Sequence, residues 1–328
     1  MTQLNSKSPI VSTFLLKARR SVLLLTAICG LGVLAIAQTA APAASEHSPE
    51  AGQKTFPSAD AAMESLYTAV KAGDTDTLIE IFGAAGKELV LSGDPVQDKN
   101  GRQTFVERYD QMHRLVPDSE HSDTLVIGAE NWPMPIPIVE ANGAWFFDTA
   151  SGKQEILYRR IGKNELAAIQ TCGILVEAQT EYASQPREPS DKKVFAAKFI
   201  SDPGKRNGLY WKADDGDASP IGPLIADAAA QGYTGKTSPY QGYYFRILTR
   251  QGPSAPGGAK NYMANGQLEY GFAFVAYPAE YRNSGVMTFI VAKDGVVYEK
   301  NLGPNTASVA KAMTAYNPDK TWKQVENQ

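Results

Sequence analysis

The stretch Gly285–Gly303, GVMTFIVAKDGVVYEKNLG, decides the fold of the region around it. Two apolar runs flank the pair Asp294-Gly295, and Asp-Gly between such runs is a strong signal for a β-hairpin. A two-residue type I′ turn at this pair predicts that Val291 lies opposite Tyr298 across the two strands. Asp294 is therefore interpreted as a turn former and not as an acid catalyst.

Around this hairpin, the composition is that of an ordinary globular protein. The chain has 328 residues, of which 43% are hydrophobic and 20% are charged, and this length allows one large domain or two smaller ones. The formal net charge of −3 argues against a nucleic-acid-binding protein, which needs a basic face. Beyond the N-terminal region Cys172 is the only cysteine, so an internal disulfide is not expected there.

Residues 1–44 have the pattern of an export signal. Lys17, Arg19 and Arg20 precede the uncharged run 21–37, and small residues with A-x-A patterns follow. The run is slightly shorter than the roughly 20 residues of a membrane-spanning helix, which favours a cleaved leader. The prediction is an exported protein, periplasmic or secreted. The alternative is an uncleaved segment that anchors the chain in the inner membrane through residues 21–37, which would be its only membrane contact.

The predicted first half begins after a flexible spacer at residues 45–55 and covers residues 56–163. Ser58 and Gly73 bracket a helix with one apolar face, and Asp74 is predicted to cap a second, shorter helix. A third helix is predicted over residues 102–116. Strands are predicted at residues 87–93, 123–128, 135–149 and 154–162. The third of these segments includes an Asn-Gly hairpin.

A long amphipathic helix is predicted over residues 164–185, and Pro186 and Pro189 mark the boundary after it. The second half, residues 186–328, is rich in glycine, tyrosine and short apolar runs. It is predicted to hold an antiparallel sheet that includes the hairpin, and a final helix after Asn305. The predicted fold class is therefore α+β, with two domains and a connecting helix.

Both halves resemble known folds. The helix-helix-strand-helix order of the first half and its segment GAWFFDTASGKQEI resemble cystatin-like folds of the nuclear-transport-factor-2 type. The second half, with AQTEY, then FRI, FAFVAYP and the hairpin, resembles the globular heads of type IV pilins and pseudopilins. That resemblance implies a long helix followed by a small antiparallel sheet. Because the pilin helix is N-terminal, and this helix lies deep inside the chain, polymerisation through it is not expected.

From about residue 56 to residue 325 the chain resembles a bacterial exported family, known as domain of unknown function 2950. The segments that carry the resemblance are ENWPMPIPIVEANGAWFFDTASGKQEILYRRIGKNELAAIQTCGILVEAQTEYA and GYYFRILTRQGPSAPGGAKNYMANG. The resemblance implies no catalytic residues, because the family has no established activity.

Common catalytic motifs do not occur in the sequence. The three histidines, His47, His113 and His121, have no metal-ligand spacing, and neither H-E-x-x-H nor C-x-x-C nor G-x-S-x-G is present. Cys172 falls on the apolar face of its predicted helix, as a packed thiol would. These features disfavour the common hydrolase, redox and phosphoryl-transfer sites, and leave open an unusual carboxylate-based site.

The leading candidate site combines Trp132, Trp145, Arg159, Arg160 and Glu165. Cystatin-like domains form a cone whose mouth can hold a ligand, and tryptophans with arginines suit an anionic or planar group. The competing interpretation is that the aromatic residues fill the cone as core. On a strand, Arg159 and Arg160 would point to opposite sides, so at most one of them would face a pocket.

Two weaker candidates lie in the second half. Lys205 and Arg206, in the loop PGKRNG, form a possible anion-binding nest, although such a loop is more often only a turn. Asp215, Asp217 and Ser219 stand at alternate positions whose oxygen atoms suit calcium as a cofactor. An incomplete motif favours a solvated acidic turn over a calcium site.

The sequence therefore predicts an exported envelope protein that is a non-enzymatic binding or interaction module. Its partner would be a small ligand or another envelope protein, and not a nucleic acid. Two alternatives stay open. One is an enzyme with an unfamiliar site in the first-half cone, and the other is an accessory protein of a pilus or secretion apparatus.

Overall fold

The computed structural model describes residues 47–187, 191–212, 218–234 and 238–326, which belong to one compact unit, residues 45–328. The described residues form seven α-helices and several mainly antiparallel sheets, which confirms the α+β class. The division into two domains, and the cystatin-like and pilin-like assignments, stay predictions.

The helices are α1 Ala59–Ala72, α2 Thr75–Phe82, α3 Lys87–Val90, α4 Pro95–Gln111, α5 Thr149–Tyr182, α6 Gly222–Ala230 and α7 Thr306–Ala312. A 3-10 turn at Ala84–Gly86 lies between α2 and α3.

The strands of the first half are β1 His113–Ser119, β2 Ser122–Ile127, β3 Trp132–Pro133, β4 Ile138–Ala141 and β5 Ala144–Phe147. The strands of the second half are β6 Tyr243–Leu248, β7 Arg250–Gln251, β8 Lys260–Asn261, β9 Met263–Ala264, β10 Gln267–Leu268, β11 Ala273–Pro278, β12 Met287–Ala292, β13 Val297–Asn301, β14 Ala315–Tyr316 and β15 Lys323–Gln324.

The first half packs α1, α2 and α4 against the sheet β1-β2-β4-β5, with β3 beside β2. The predicted caps of α1 are confirmed: Ser58 Oγ accepts from Ala61 N, and Gly73 has the left-handed φ of 67° that ends the helix. Asp74 caps α2 as predicted, since its side chain accepts from Thr77 N. The apolar face of α1 faces the hydrophobic core of this half.

Two elements of the first half differ from their predictions. Helix α4 begins at Pro95 and not at residue 102, because Asp94 accepts from Val96 N and Gln97 N and so caps an earlier start. It ends at Gln111, where the chain enters β1. The predicted strand at residues 87–93 is wrong, since Lys87–Val90 form the short helix α3.

The predicted strand at residues 154–162 is also wrong, because these residues belong to α5. Asp148 caps this helix through Ser151 N, so α5 begins at Thr149, well before the predicted start at residue 164. The helix runs for 34 residues to Tyr182 and crosses from the first half into the second. One side of α5 faces the cores of both halves, while its other side is exposed.

In the second half, a five-stranded sheet has the order β15-β13-β12-β11-β6. Helix α5 packs on β12 and β11, and α7 packs on β11. Tyr243 of β6 lies near Glu165 and Cys172 of α5, whereas Arg246 donates to Ala310 O of α7. Since residues 243 and 246 point to opposite faces of a strand, α5 and α7 cover opposite faces of the sheet.

The hairpin that decides this region has a different register from the predicted one. Val291 pairs with Val297 and not with Tyr298. The turn closes through Gly295 N to Ala292 O at 3.0 Å, and Gly295 has a φ of 74°, whereas Asp294 does not have the positive φ that a type I′ turn requires. The longer loop shifts every cross-strand partner by one residue.

The segment predicted as a flexible spacer is attached to the first half where it is described. Gln53 Nε2 donates to Ile81 O at 3.0 Å and to Phe147 O at 2.8 Å. His47 Nδ1 lies 2.7 Å from the capping carboxylate of Asp148.

A buried polar junction joins the halves around Asp94, which is 0% exposed. Its Oδ1 caps α4, and its Oδ2 accepts from Gly242 N at 2.8 Å and from Tyr233 Oη at 2.9 Å. Beside it, Asn164 of α5 donates to Ser284 O at 2.9 Å. Gly242 has a φ of 79°, and a Cβ there would lie 2.4 Å from Asn164 Nδ2, so only glycine fits.

Two glycines of α5 provide a matched test of how the helix packs. A Cβ at Gly152 would lie 2.2 Å from Pro135 O, so we expect Gly152→Ala to destabilise the protein by about 1–3 kcal/mol. A Cβ at Gly162 would meet nothing within 4 Å, so Gly162→Ala should stabilise it by about 0.5–1 kcal/mol. Urea unfolding of both variants measures this difference, and equal effects would contradict the packing described.

Candidate functional site

A cavity of about 300 Å³ lies in the first half between α1, α2, α4 and the sheet. Its interior is apolar, and its wall residues include Leu66, Phe82, Phe105, Ile127 and Met134. They come from different elements because α1, α2 and α4 each turn their apolar face to the same core. Pockets for small molecules have this character: an apolar interior with a few polar groups.

Six polar or charged residues line the same cavity: Gln97, Asp98, Arg102, Thr104, Arg108 and Arg160. Five of them lie on α4, and Arg160 comes from α5 on the facing side. Because three are arginines and one is an aspartate, the cavity carries a net positive charge. An apolar volume with a cationic lining suits a molecule that has an apolar body and an anionic group.

Arg160 is held in place by the protein itself. Its guanidinium donates to Glu88 O and Leu89 O, both at 2.7 Å, and to Asn283 Oδ1 at 2.5 Å. Burial lowers the pKa of this guanidinium, and the nearby Asp98 opposes the shift. Arg160 therefore forms a fixed part of the cavity wall and ties it to Asn283 of the second half.

Arg102 and Arg108 are available to a ligand. Both are half-buried, and neither makes an ion pair or a side-chain hydrogen bond with any residue that the structure describes. Arg102 interacts with Asp98 only electrostatically. These two guanidinium groups are therefore the natural anchors for an anion at this cavity.

Asp98 is the one carboxylate among the described residues that line the cavity. Both of its oxygens lie 3.2 Å from Ser92 N, which donates to them. Burial raises the pKa of Asp98 above its ordinary value, against the opposing effects of Ser92, Arg160 and Arg102. An acidic group with a raised pKa in a pocket is a candidate proton donor or acceptor.

The structure divides the five residues predicted as one site. Trp132 and Arg160 line the cavity, and the guanidinium carbon of Arg159 lies 5.9 Å from the Trp132 ring centre while its Nε is 2.7 Å from Glu155. Arg159 itself does not line the cavity. The two arginines lie on a helix and not on the predicted strand, so their angular separation around α5 sets their different directions.

Trp145 and Glu165 lie away from the cavity lining. Trp145 is half-buried, and its backbone pairs with Phe56. It packs against the core of the first half, in line with the core interpretation. Glu165 Oε1 accepts from Val286 N and Met287 N, both at 2.9 Å, so this carboxylate holds the start of β12.

The sequence interpretation missed Gln97, Asp98, Arg102 and Arg108 as cavity residues. Three of them lie on or before residue 102, where helix α4 was predicted to begin. The signal that locates them is Asp94-Pro95, an N-cap residue followed by proline at the first helical position.

The loop with Lys205 and Arg206 lies in the second half, apart from the cavity. Lys205 N donates to Asp202 O at 3.0 Å, Arg206 O accepts from Tyr182 Oη at 2.9 Å, and the Arg206 guanidinium carbon lies 5.9 Å from the Trp211 ring centre. These contacts account for a turn, and they leave anion binding there a prediction.

The predicted calcium ligands Asp215 and Asp217 lie outside the described residues, and Ser219 is buried. Among the described residues, no group of three or more histidine, cysteine or acidic side chains has an arrangement that could hold a metal ion. Within the same residues, no helix has the length and apolar character needed to cross a membrane. Cys172 is fully buried, and burial raises the pKa of its thiol to about 12.

The raised pKa of Asp98 predicts that its contribution to the free energy of unfolding changes with pH in the opposite direction to the contribution of Asp74. The raised pKa of Asp98 contributes stability below its ordinary value of 3.8, and this contribution is lost as the pH rises through the folded-state pKa. The unfolding free energy of the wild type minus that of Asp98→Asn should therefore fall with rising pH above about 4.

The matched variant is Asp74→Asn. Hydrogen bonds from Thr77 lower the pKa of Asp74, so the same difference should rise with pH in that case. Urea unfolding at a series of pH values measures both. Parallel curves for the two variants would contradict the burial of Asp98.

Comparison with known proteins leads to a family and to no described activity. No curated protein and no solved structure matches the chain. A family model described as protein of unknown function (DUF2950) matches residues 53–325, which include every element from α1 to β15. The chain is therefore a member of the DUF2950 family.

Proposed function

We propose that this chain is an exported, non-enzymatic binding module of the cell envelope. Its first-half cavity takes a small molecule with an apolar body and one anionic group. The observation that carries the proposal is the pair Arg102 and Arg108, which line an apolar cavity and make no ion pair or side-chain hydrogen bond with any described residue. The leader pattern of residues 1–44 supports export.

The volume of the cavity limits the ligand. About 300 Å³ is at the lower end of the range of small-molecule pockets, which suits a short acyl chain or a small ring system. Transfer of such a group from water to the apolar wall contributes roughly 25 cal/mol for each Å² of apolar surface that is buried. This term supplies affinity, while the arginines select an anionic ligand over a neutral one.

Asp98 favours a second candidate function, an enzyme that uses this carboxylate as an acid or base. The raised pKa and the position in the cavity wall support this alternative. The two functions make different demands on Asp98. A binding module does not need the carboxylate, and binding of an anion should become tighter when Asp98→Asn removes a negative charge from the cavity.

The outer side of α5 favours the alternative of an accessory to a pilus or secretion apparatus. Tyr158 is 63% exposed and Leu166 is 57% exposed, so apolar groups of the long helix are open to a partner. This support is weaker than that for the cavity, because single exposed apolar residues are common on protein surfaces.

Binding of two fluorescent probes tests the proposed function. We expect 8-anilinonaphthalene-1-sulfonate, an apolar anion, to bind with one saturable site and to quench Trp132 by energy transfer. The neutral N-phenyl-1-naphthylamine should bind more weakly. The double variant Arg102→Gln, Arg108→Gln should lose roughly tenfold in affinity for the anion, as expected for charge-assisted hydrogen bonds, and little for the neutral probe.

Two controls identify the cavity as the site. Arg114→Gln removes an arginine that bonds Asn131 outside the cavity, and it should leave both affinities unchanged. Thr104→Trp adds bulk at the exposed rim of the cavity and should weaken the binding of both probes. Gln103→Trp, at the neighbouring exposed position, should not weaken it. An equal response to Arg114→Gln and to the double variant would contradict the proposed function.

A further inference from the structure

Strand β6 is an edge strand of the second-half sheet, and its side away from β11 has no neighbouring strand in that sheet. Tyr243 exchanges two backbone hydrogen bonds with Tyr240, which lies on the side away from β11. Gly242 O, one residue earlier, accepts from Ala279 N at the end of β11. Since the direction of backbone groups alternates along a strand, Phe245 and Ile247 also direct their N–H and C=O groups away from β11.

Both ends of this edge are occupied, and its middle is not. Tyr240 covers the edge at Tyr243, and Tyr262 N donates to Thr249 O at 3.0 Å at the other end. Between them, the backbone groups of Phe245 and Ile247 make no hydrogen bond with any residue that the structure describes. All four residues from 244 to 247 are partly exposed.

A cleft of about 510 Å³ lies along part of this edge, where residues 243–246 of β6 line it. Thr171 and Leu175 of α5 line it on one face of the sheet, and Tyr244, Arg246 and Lys311 line it on the face that α7 covers. The cleft therefore extends over the edge of the sheet, with apolar and aromatic side chains on both sides. An edge strand in such a cleft has the geometry that accepts an added β-strand.

The charges of the cleft indicate what kind of strand fits. Among the described residues that line it, Arg246 and Lys311 are the only charged ones, and neither a glutamate nor an aspartate is present. We propose that an extended apolar segment with acidic residues, from a partner protein, adds to β6 as a further strand. Its backbone pairs with Phe245 and Ile247, its apolar side chains enter the cleft, and a carboxylate meets Lys311.

The same charges argue against two other occupants. A second copy of this chain would bring a second Arg246 and Lys311 to the first pair, and like charges at close range repel. The N-terminal segment of this chain carries only positive charges before Glu46, at Lys7, Lys17, Arg19 and Arg20. A partner segment with acidic residues is complementary in charge to Arg246 and Lys311, whereas a second copy and the N-terminal segment are not.

A synthetic peptide tests the proposal. The probe is acetyl-Glu-Val-Tyr-Val-Glu-amide, whose length matches the open stretch. Two derivatives carry N-methyl groups, one on both valines and the other on tyrosine. Because only alternate N–H groups of an added strand face the edge, one derivative should lose at least tenfold in affinity while the other keeps it. Hydrogen exchange at the amides of Phe245 and Ile247 should slow when the peptide binds.

The exposed Lys311 gives the matched variants. Lys311→Glu should lower the affinity for the peptide roughly tenfold, because a charge-assisted contact is lost. Lys320→Glu, at another exposed position, should leave this affinity unchanged. Equal affinity of the two methylated derivatives, or no binding of the unmodified peptide at 1 mM, would overturn the proposal. Protection of Phe245 and Ile247 that grows with protein concentration without peptide would also overturn it, because a second copy would then be the occupant.

Discussion

The buried carboxylate of Asp94 is the constraint on which the rest of this structure depends. One of its oxygens caps α4 in the first half, and the other accepts from Gly242 N and Tyr233 Oη in the second. A fully buried aspartate is costly unless its hydrogen-bonding capacity is satisfied, and here four donors satisfy it. The position of α4 and the position of the second half are thereby determined together.

The same junction sets the shape of the candidate cavity. Helix α4 carries Asp98, Arg102 and Arg108, and its start at Pro95 follows from the cap by Asp94. Arg160, on the facing wall, is bonded to Asn283 of the second half. The cavity therefore lies within the first half, while its wall is supported from the second. Since both halves contribute to this support, loosening the junction should disturb the cavity before it disturbs the apolar core.

Local signals in the sequence predicted local structure well. The caps Ser58, Gly73 and Asp74 bound their helices as expected, because each acts through backbone groups within a few residues. Residues 154–162 were predicted as a strand, but a short run of mixed apolar and charged residues does not separate strand from helix by itself. The hairpin forms at the predicted residues, but its register differs from the prediction because Asp-Gly fits more than one type of turn.

The candidate site was predicted only in part, for a physical reason. Trp132 and Arg160 were identified from residue type, but the helix start that aligns Asp98, Arg102 and Arg108 with them was placed seven residues too late. The junction was not predicted at all. Its hydrogen bonds join residues as far apart as Asp94 and Gly242, and no periodicity or local motif reports a contact across 148 positions.

Native-state hydrogen exchange in low urea tests most directly whether the halves form one body. If the junction joins them as described, the slowest amides of β2 in the first half and of β12 in the second should report the same free energy of opening, with the same dependence on urea. Asp94→Ala should lower both together. Two separate free energies, with only one of them changed by Asp94→Ala, would contradict the account.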